Sequence, residues 1–146
     1  MTWRIRHASV LAVVLIGIMA VPASAAIRFF EIRYDPPGKD SKNLNGEWVA
    51  IKNKGDKAVD IAGWYISSGK KSYTFKSGVK IGAGKVIYVY TGSGDDGRRH
   101  KYWGRKRPAW PNGNGGALLF NDGLPIKLKD QCTYGSLGDT DGTEKC

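Results

Sequence analysis

The chain has 146 residues, of which 23 are Lys or Arg and 13 are Asp or Glu, so its formal charge at pH 7 is +10. This length provides one domain with a single modest core, and the basic charge favours an anionic partner such as nucleic acid, an anionic envelope polymer or a membrane surface. Only two histidines occur, which excludes a histidine-rich metal site.

The first 25 residues have the pattern of a secretory signal peptide. Arg4 and Arg6 give a basic start, residues 10–20 form an apolar run, and small residues precede Ala26. The apolar run is shorter than the about 20 residues of a permanent membrane span. We predict a signal peptide over residues 1–25 and one domain over residues 26–146, with an uncleaved anchor as the alternative. The mature domain is expected to be soluble, secreted or otherwise extracytoplasmic, and still strongly basic.

The first segments of the predicted domain alternate between apolar and polar residues, as strands do. Residues 27–34 (IRFFEIRY) predict a strand that places Phe30, Ile32 and Tyr34 on one face. Residues 47–53 (EWVAIKN) predict another, with Val49 and Ile51 toward a core.

A turn at residues 54–57 then leads to a strand at residues 58–62, with Val59 and Ile61 on one side. A large core aromatic follows at Trp64.

Short strand-like runs continue along the rest of the chain. They cover residues 73–75, 79–81, 86–90, 117–120 and 126–129, the last two joined by an Asn-Asp-Gly turn. Helix periodicity is nearly absent, and 20 glycines separate the runs. Short strands with regular turn signals predict an all-β fold, in particular a β-sandwich.

Several of these segments resemble the lamin tail domain family in order and spacing. Residues 47–53 followed by residues 60–64 match its pattern acidic-aromatic-Val-x-aliphatic-x-Asn, a short turn, and Asp-Leu-x-Gly-Trp. The family's short Phe-ended strand, glycine turn, Thr-Gly strand end, Trp-Asn turn and penultimate strand have counterparts at residues 73–75, 81–86, 90–92, 110–112 and 117–119. The resemblance spans residues 27–134. One departure is Gly115-Gly116, where the family often has Gly-Asp.

The resemblance implies an immunoglobulin-like β-sandwich of the lamin-tail type. It also implies adaptor roles, because nuclear members engage DNA and protein partners, and bacterial relatives often accompany extracellular nucleases and other hydrolases.

A basic and aromatic stretch interrupts the strand pattern between Gly92 and Trp110. In residues 98–107 (RRHKYWGRKR, hereafter the basic segment) six of ten residues are cationic. Cations release counterions from phosphates, and aromatic faces stack on unpaired bases or sugars. The segment is therefore a candidate polyanion-binding loop, and the binding would be non-specific. Its candidate binding residues are Arg98, Arg99, Lys101, Tyr102, Trp103, Arg105, Lys106 and Arg107.

The alternative interpretation is a solvated loop that only keeps the domain soluble. Under either interpretation Trp110 is expected to be structural, whereas Trp103 is equally compatible with a structural and a binding role. No catalytic group stands out, because His100 lacks an evident partner and the adjacent Asp95 and Asp96 are expected to balance charge. We predict no enzymatic activity, no cofactor and no metal site.

The two cysteines, Cys132 and Cys146, predict one disulfide that closes the C-terminal tail in an oxidising compartment. Two free or intermolecular thiols are the alternative. Within this loop the Asp139–Asp141 stretch echoes a calcium loop, but Glu144 stands at the wrong spacing for an EF-hand, which favours a plain polar turn.

The sequence therefore predicts a secreted, non-catalytic module that binds DNA or another polyanion. The alternative is an extracellular protein–protein interaction or scaffold domain.

Overall fold

The computed structural model describes residues 26–135 and 141–146. The predicted signal peptide and Asp139 of the calcium-like stretch lie outside these ranges. In the described part of the chain, none of the helices is long and apolar enough to cross a bilayer. Eleven strands and two single turns of 3-10 helix, at Asp40–Lys42 and Leu44–Gly46, make up the regular structure of the described residues. The strands are β1 (Ile27–Arg33), β2 (Trp48–Asn53), β3 (Val59–Asp60), β4 (Tyr65–Ser68), β5 (Lys71–Thr74), β6 (Lys80–Ile81), β7 (Val86–Tyr90), β8 (His100–Tyr102), β9 (Gly115–Phe120), β10 (Leu128–Tyr134) and β11 (Thr143–Lys145).

The strands form two main sheets with a shared core, so the all-β immunoglobulin-like sandwich expected from the sequence is confirmed. One sheet has the order β11-β1-β2-β7-β8, the other has the order β10-β9-β4-β5, and β3 pairs with β6 alone. Val49 and Ile51 of β2 point inward, as the pattern predicts, and are fully buried. Val89 of β7 is fully buried as well. Trp64 joins the same core at 6% exposure, as expected.

The prediction for β1 is wrong at Phe30. The pairing of β1 with β2 shifts register between Phe29 and Glu31, which marks a β-bulge. A bulge adds one residue to one strand and changes the face on which the following side chains lie. Phe29 is therefore buried, whereas Phe30 is 39% exposed and lies under the ammonium of Lys52, 5.3 Å from the ring centre.

Two further segments differ from the strands that were predicted. The last hairpin partner starts at Leu128 rather than residue 126 and continues to Tyr134, so Ile126 stays 55% exposed in the connection. The basic segment, expected to be an irregular loop, contains the three-residue strand β8, which pairs with β7 in parallel. Parallel pairing of a short polar segment leaves no periodic apolar signal in the sequence.

The predicted disulfide is present. Cys132 on β10 is bonded to Cys146, and their Cα atoms are 5.5 Å apart, within the usual range for a disulfide. The bond links β10 of the four-stranded sheet to the chain after β11 of the five-stranded sheet. The Cys146 N–H also donates to the Phe30 carbonyl at 3.1 Å. The C-terminus is therefore held against β1 as well as β10.

Candidate functional site

The basic segment lies along the edge of the five-stranded sheet. The Tyr88 N–H donates to the Arg99 carbonyl at 2.8 Å, and the Trp103 N–H donates to the Tyr90 carbonyl at 2.8 Å. Beyond β8 the contact continues, because the Arg105 N–H donates to the Thr91 carbonyl at 3.0 Å. The chain turns at Gly104, which has a φ of +74°, a value that glycine adopts without strain. The backbone from residue 99 to residue 105 is thus fixed by the sheet.

No cationic group of this segment forms an ion pair with a carboxylate in the described part of the protein. Two ion pairs form there, Lys76–Asp96 and Lys80–Asp60, and neither includes a cation of the basic segment. Lys101 donates instead to the Gly97 carbonyl at 2.6 Å, and Arg105 donates to the Arg107 carbonyl at 3.2 Å. The exposed members are Arg98, Arg99, Lys106 and Arg107, whereas Lys101 and Arg105 are half-buried. Their positive charge is therefore available to an external anion.

A pocket of about 300 Å³ lies beside the second half of the segment. Three cations line it, namely Lys42, Arg105 and Lys106, together with the polar side chains of Ser41, Asn43, Asn45 and Ser93. The Asn45 amide donates to the Ser93 carbonyl at 3.0 Å, which ties the two walls together. A concave surface with three cations and several hydrogen-bonding groups suits a phosphate or sulfate group.

Asp96 fixes the start of the basic segment. One carboxylate oxygen accepts from the ammonium of Lys76 at 2.8 Å, and the other accepts from the Tyr102 N–H at 2.9 Å. Partial burial raises the pKa of Asp96, but the hydrogen bonds from Lys76 and Tyr102, with the charges of Lys76 and Lys101, outweigh it and lower the pKa overall. Asp96 is thus an ionised anchor for β8, while Asp95 lies beside it on the exposed loop.

Trp103 and Trp110 connect the basic segment to the core. Trp110 is 1% exposed and packs edge-on against Trp103, with ring centres 6.0 Å apart. Trp103 is partly buried and also meets the ring of Tyr73 at 6.0 Å. The guanidinium of Arg105 lies 5.5 Å from the centre of the Trp103 ring. The Trp103 ring therefore forms a cation–π contact with the Arg105 guanidinium, and this contact positions the guanidinium beside the pocket.

A buried carboxylate fixes the end of the segment. Glu47 has no exposed surface, and its Oε2 accepts from the Ala109 N–H at 3.0 Å. The Ala109 carbonyl accepts from the Ser68 hydroxyl and the Lys71 ammonium, each at 2.8 Å. Burial raises the pKa of the Glu47 carboxyl, and the hydrogen bond from Ala109 opposes this in part. Sequence reasoning missed this role, because alternation in a strand does not reveal a buried acid.

The free energy of unfolding is expected to fall as the pH rises above the ordinary Glu47 pKa of 4.5 and through its raised value in the folded protein. In this window the folded state binds a proton more tightly than the unfolded state, so deprotonation favours unfolding. Glu47→Gln cannot ionise and keeps an acceptor oxygen for Ala109. Its stability relative to the wild type should therefore increase with pH across the window, as urea unfolding at a series of pH values would show.

Two comparison variants make this result specific. Asp56→Asn removes the same charge from an exposed position and is the matched control. Glu47→Ala leaves the Ala109 N–H without its partner and should cost about 1–3 kcal/mol relative to Glu47→Gln. A stability difference between Glu47→Gln and wild type that stays constant with pH would contradict the assigned role.

An aromatic ladder covers the outer face of the same sheet beside β8. It consists of Trp48, Tyr88, Tyr90, His100 and Tyr102. Neighbouring ring centres are 5.3–6.3 Å apart, and all planes except that of Trp48 are within 23° of parallel to their neighbours. The Tyr90 hydroxyl also lies 3.2 Å from His100 Nδ1. Burial raises the pKa of Tyr90, with smaller effects from Tyr102 and Tyr88. This ladder brings Tyr102 together with residues far away in the sequence.

Sequence reasoning found Tyr102 but missed the other members of the ladder. A signal was present, because Tyr88 and Tyr90 are two residues apart, as are His100 and Tyr102, and such spacing places both side chains on one face of a strand. The pairing of the two strands, with Tyr88 opposite His100 and Tyr90 opposite Tyr102, could not be deduced from that spacing.

Comparison with known protein families gives a match over most of the chain. The model of the family described as Lamin Tail Domain matches residues 20–136. This range contains β1 to β10 and the whole basic segment. A search of curated proteins finds no match.

Proposed function

Because the chain belongs to the lamin tail domain family, we propose that it is a secreted, non-catalytic module that binds DNA or another polyanion through the basic segment. The family consists of immunoglobulin-like domains without enzymatic activity and suggests a binding or scaffold module. The disulfide is compatible with an extracellular location.

The observation that carries this proposal is the unpaired charge of the basic segment. Hydrogen bonds to the sheet hold the backbone of residues 99–105. None of the six cations forms an ion pair with a carboxylate among residues 26–135 and 141–146. An anionic polymer would supply the missing negative charge and release its condensed counterions, which favours association. The pocket lined by Lys42, Arg105 and Lys106 provides a concave point of contact for one anionic group.

The affinity for duplex DNA is expected to depend steeply on salt. If each of the six cations neutralises one phosphate, the logarithm of the association constant should fall against the logarithm of salt concentration with a slope of about −5. Replacing all six with glutamine should remove most of this slope and most of the affinity at low salt. Fluorescence anisotropy with a labelled duplex at several salt concentrations measures both quantities.

A matched control separates the basic segment from the general charge of the protein. Six exposed lysines elsewhere can be replaced with glutamine for the same change in net charge, namely Lys39, Lys54, Lys57, Lys70, Lys85 and Lys127. This variant should retain most of the slope. If the two variants lose equal affinity, or if replacing the basic segment changes nothing, the proposed site is wrong.

A protein–protein interaction role is the second candidate, and the connection between β9 and β10 favours it. Leu124 is 97% exposed, Ile126 is 55% exposed and Leu128 is 50% exposed. Apolar side chains clustered at one exposed position often mark a protein contact. A Leu124→Ser/Ile126→Ser variant that loses partners in a pull-down from culture supernatant, yet keeps its binding to DNA, would support this second role.

A further inference from the structure

The aromatic ladder extends the basic segment into a larger surface. Cross-strand neighbours place Arg33, Trp48, Tyr90 and Tyr102 in one row across β1, β2, β7 and β8. The next row contains Glu31, Ala50, Tyr88 and His100. The ladder members other than the exposed His100 are half-buried, so each of these residues keeps some accessible surface.

Cations lie at both ends of the first row. Arg33 lies opposite Trp48 at one end, and the basic segment forms the sheet edge at the other end. Within β8, Lys101 alternates with His100 and Tyr102, so its side chain lies on the other face of the strand. Glu31 is the carboxylate of the second row, where it lies opposite Ala50. The surface therefore combines a row of ring systems with the cations of the basic segment at its edge.

On the basis of the polyanion binding proposed above, we propose that the ligand is single-stranded nucleic acid. Its bases stack on the aromatic ladder while the basic segment binds its phosphates. A single strand has the two features that this surface would complement, namely charge at regular intervals and unpaired flat rings. In a duplex the base faces are already stacked on one another and cannot reach the ladder. A sulfated or carboxylated polysaccharide would also supply charge, but it has sugar rings in place of flat bases.

The experiment compares two probes with the same number of phosphates. One is an oligothymidylate of about 16 nucleotides, a length within the usual range of single-strand sites, and the other is an abasic strand of equal length. Stacking contributes about 1–3 kcal/mol for each base, which corresponds to about 5-fold to 150-fold in affinity. The full chain should therefore bind the oligothymidylate more tightly than the abasic strand by at least about 5-fold.

Removal of ring faces should abolish this preference. Tyr88→Leu/Tyr90→Leu replaces two half-buried ladder members with apolar residues, and the ratio of the two affinities should fall toward unity. Tyr102→Leu, at the sheet edge, gives a milder variant if the double variant does not fold. The matched control is Tyr65→Leu/Phe120→Leu, which removes a stacked pair with ring centres 4.9 Å apart on the four-stranded sheet and should leave the ratio unchanged.

The outcomes distinguish the two proposals. Equal affinity of the full chain for both probes would overturn the stacking proposal and leave polyanion binding intact. A preference that survives in the ladder variants would overturn the assignment to these residues. If neither probe binds and heparin does not bind either, the proposed function itself fails.

Discussion

Replacing Trp110 with alanine is expected to lower the free energy of unfolding by about 3–5 kcal/mol. The side chain is 1% exposed, so its removal would leave a large cavity between the basic segment and the core. Trp103 would lose its edge-on contact with Trp110. The loss of Trp110 should therefore also affect the basic segment, because the Trp103 ring contacts the Arg105 guanidinium. Urea unfolding followed by circular dichroism measures the change without depending on tryptophan fluorescence.

A suitable comparison is Trp48→Ala, which removes an equally large ring from the half-exposed outer face of the sheet. This variant should lose less stability, because less apolar surface returns to water. If Trp110→Ala costs no more than Trp48→Ala, the core role assigned to Trp110 would be incorrect. Trp110→Phe retains much of the volume and should lie between wild type and Trp110→Ala.

Replacing both cysteines with serine is expected to lower the free energy of unfolding by about 3 kcal/mol. The disulfide joins residues 14 positions apart, and closing a loop of this length restricts the unfolded chain by about that amount in the chain-entropy model. Loss of the disulfide should also release β11, which pairs with β1 through three residue pairs. Denaturant unfolding of wild type and Cys132→Ser/Cys146→Ser measures the difference.

Reductant provides the control for this prediction. Adding it should destabilise the wild type and leave the double serine variant unchanged. Mass spectrometry should find no alkylatable thiol in the native protein before reduction. Two alkylatable thiols without reductant would show that the bond does not form in the purified protein.

The strands that sequence analysis located correctly are those with alternating side chains. Val49 and Ile51 are buried as their positions predict, because a strand with one face on the core repeats every two residues. Phe30 was placed on the wrong face of the strand. The bulge that turns its side chain outward depends on how β1 pairs with β2. A local pattern carries no information about such a register shift.

The candidate site was likewise predicted only in part. Composition identified the basic segment, because six of its ten residues are cationic. The edge strand β8 was not found, because three residues are too few to establish a period. The anchoring of Ala109 by Glu47 was also missed, because it joins residues 62 positions apart.

The sequence by itself determined the all-β class, the family, the basic character and the disulfide partners of this protein. Each of these depends on residue type and spacing along the chain, which the sequence contains directly. Only the tertiary structure decided which groups meet: the aromatic ladder across β2, β7 and β8, the cationic pocket between residues 41–45 and 105–106, and the buried carboxylate beneath the basic segment. These groups are brought together by pairing between distant strands, and many different pairings are compatible with the same local pattern.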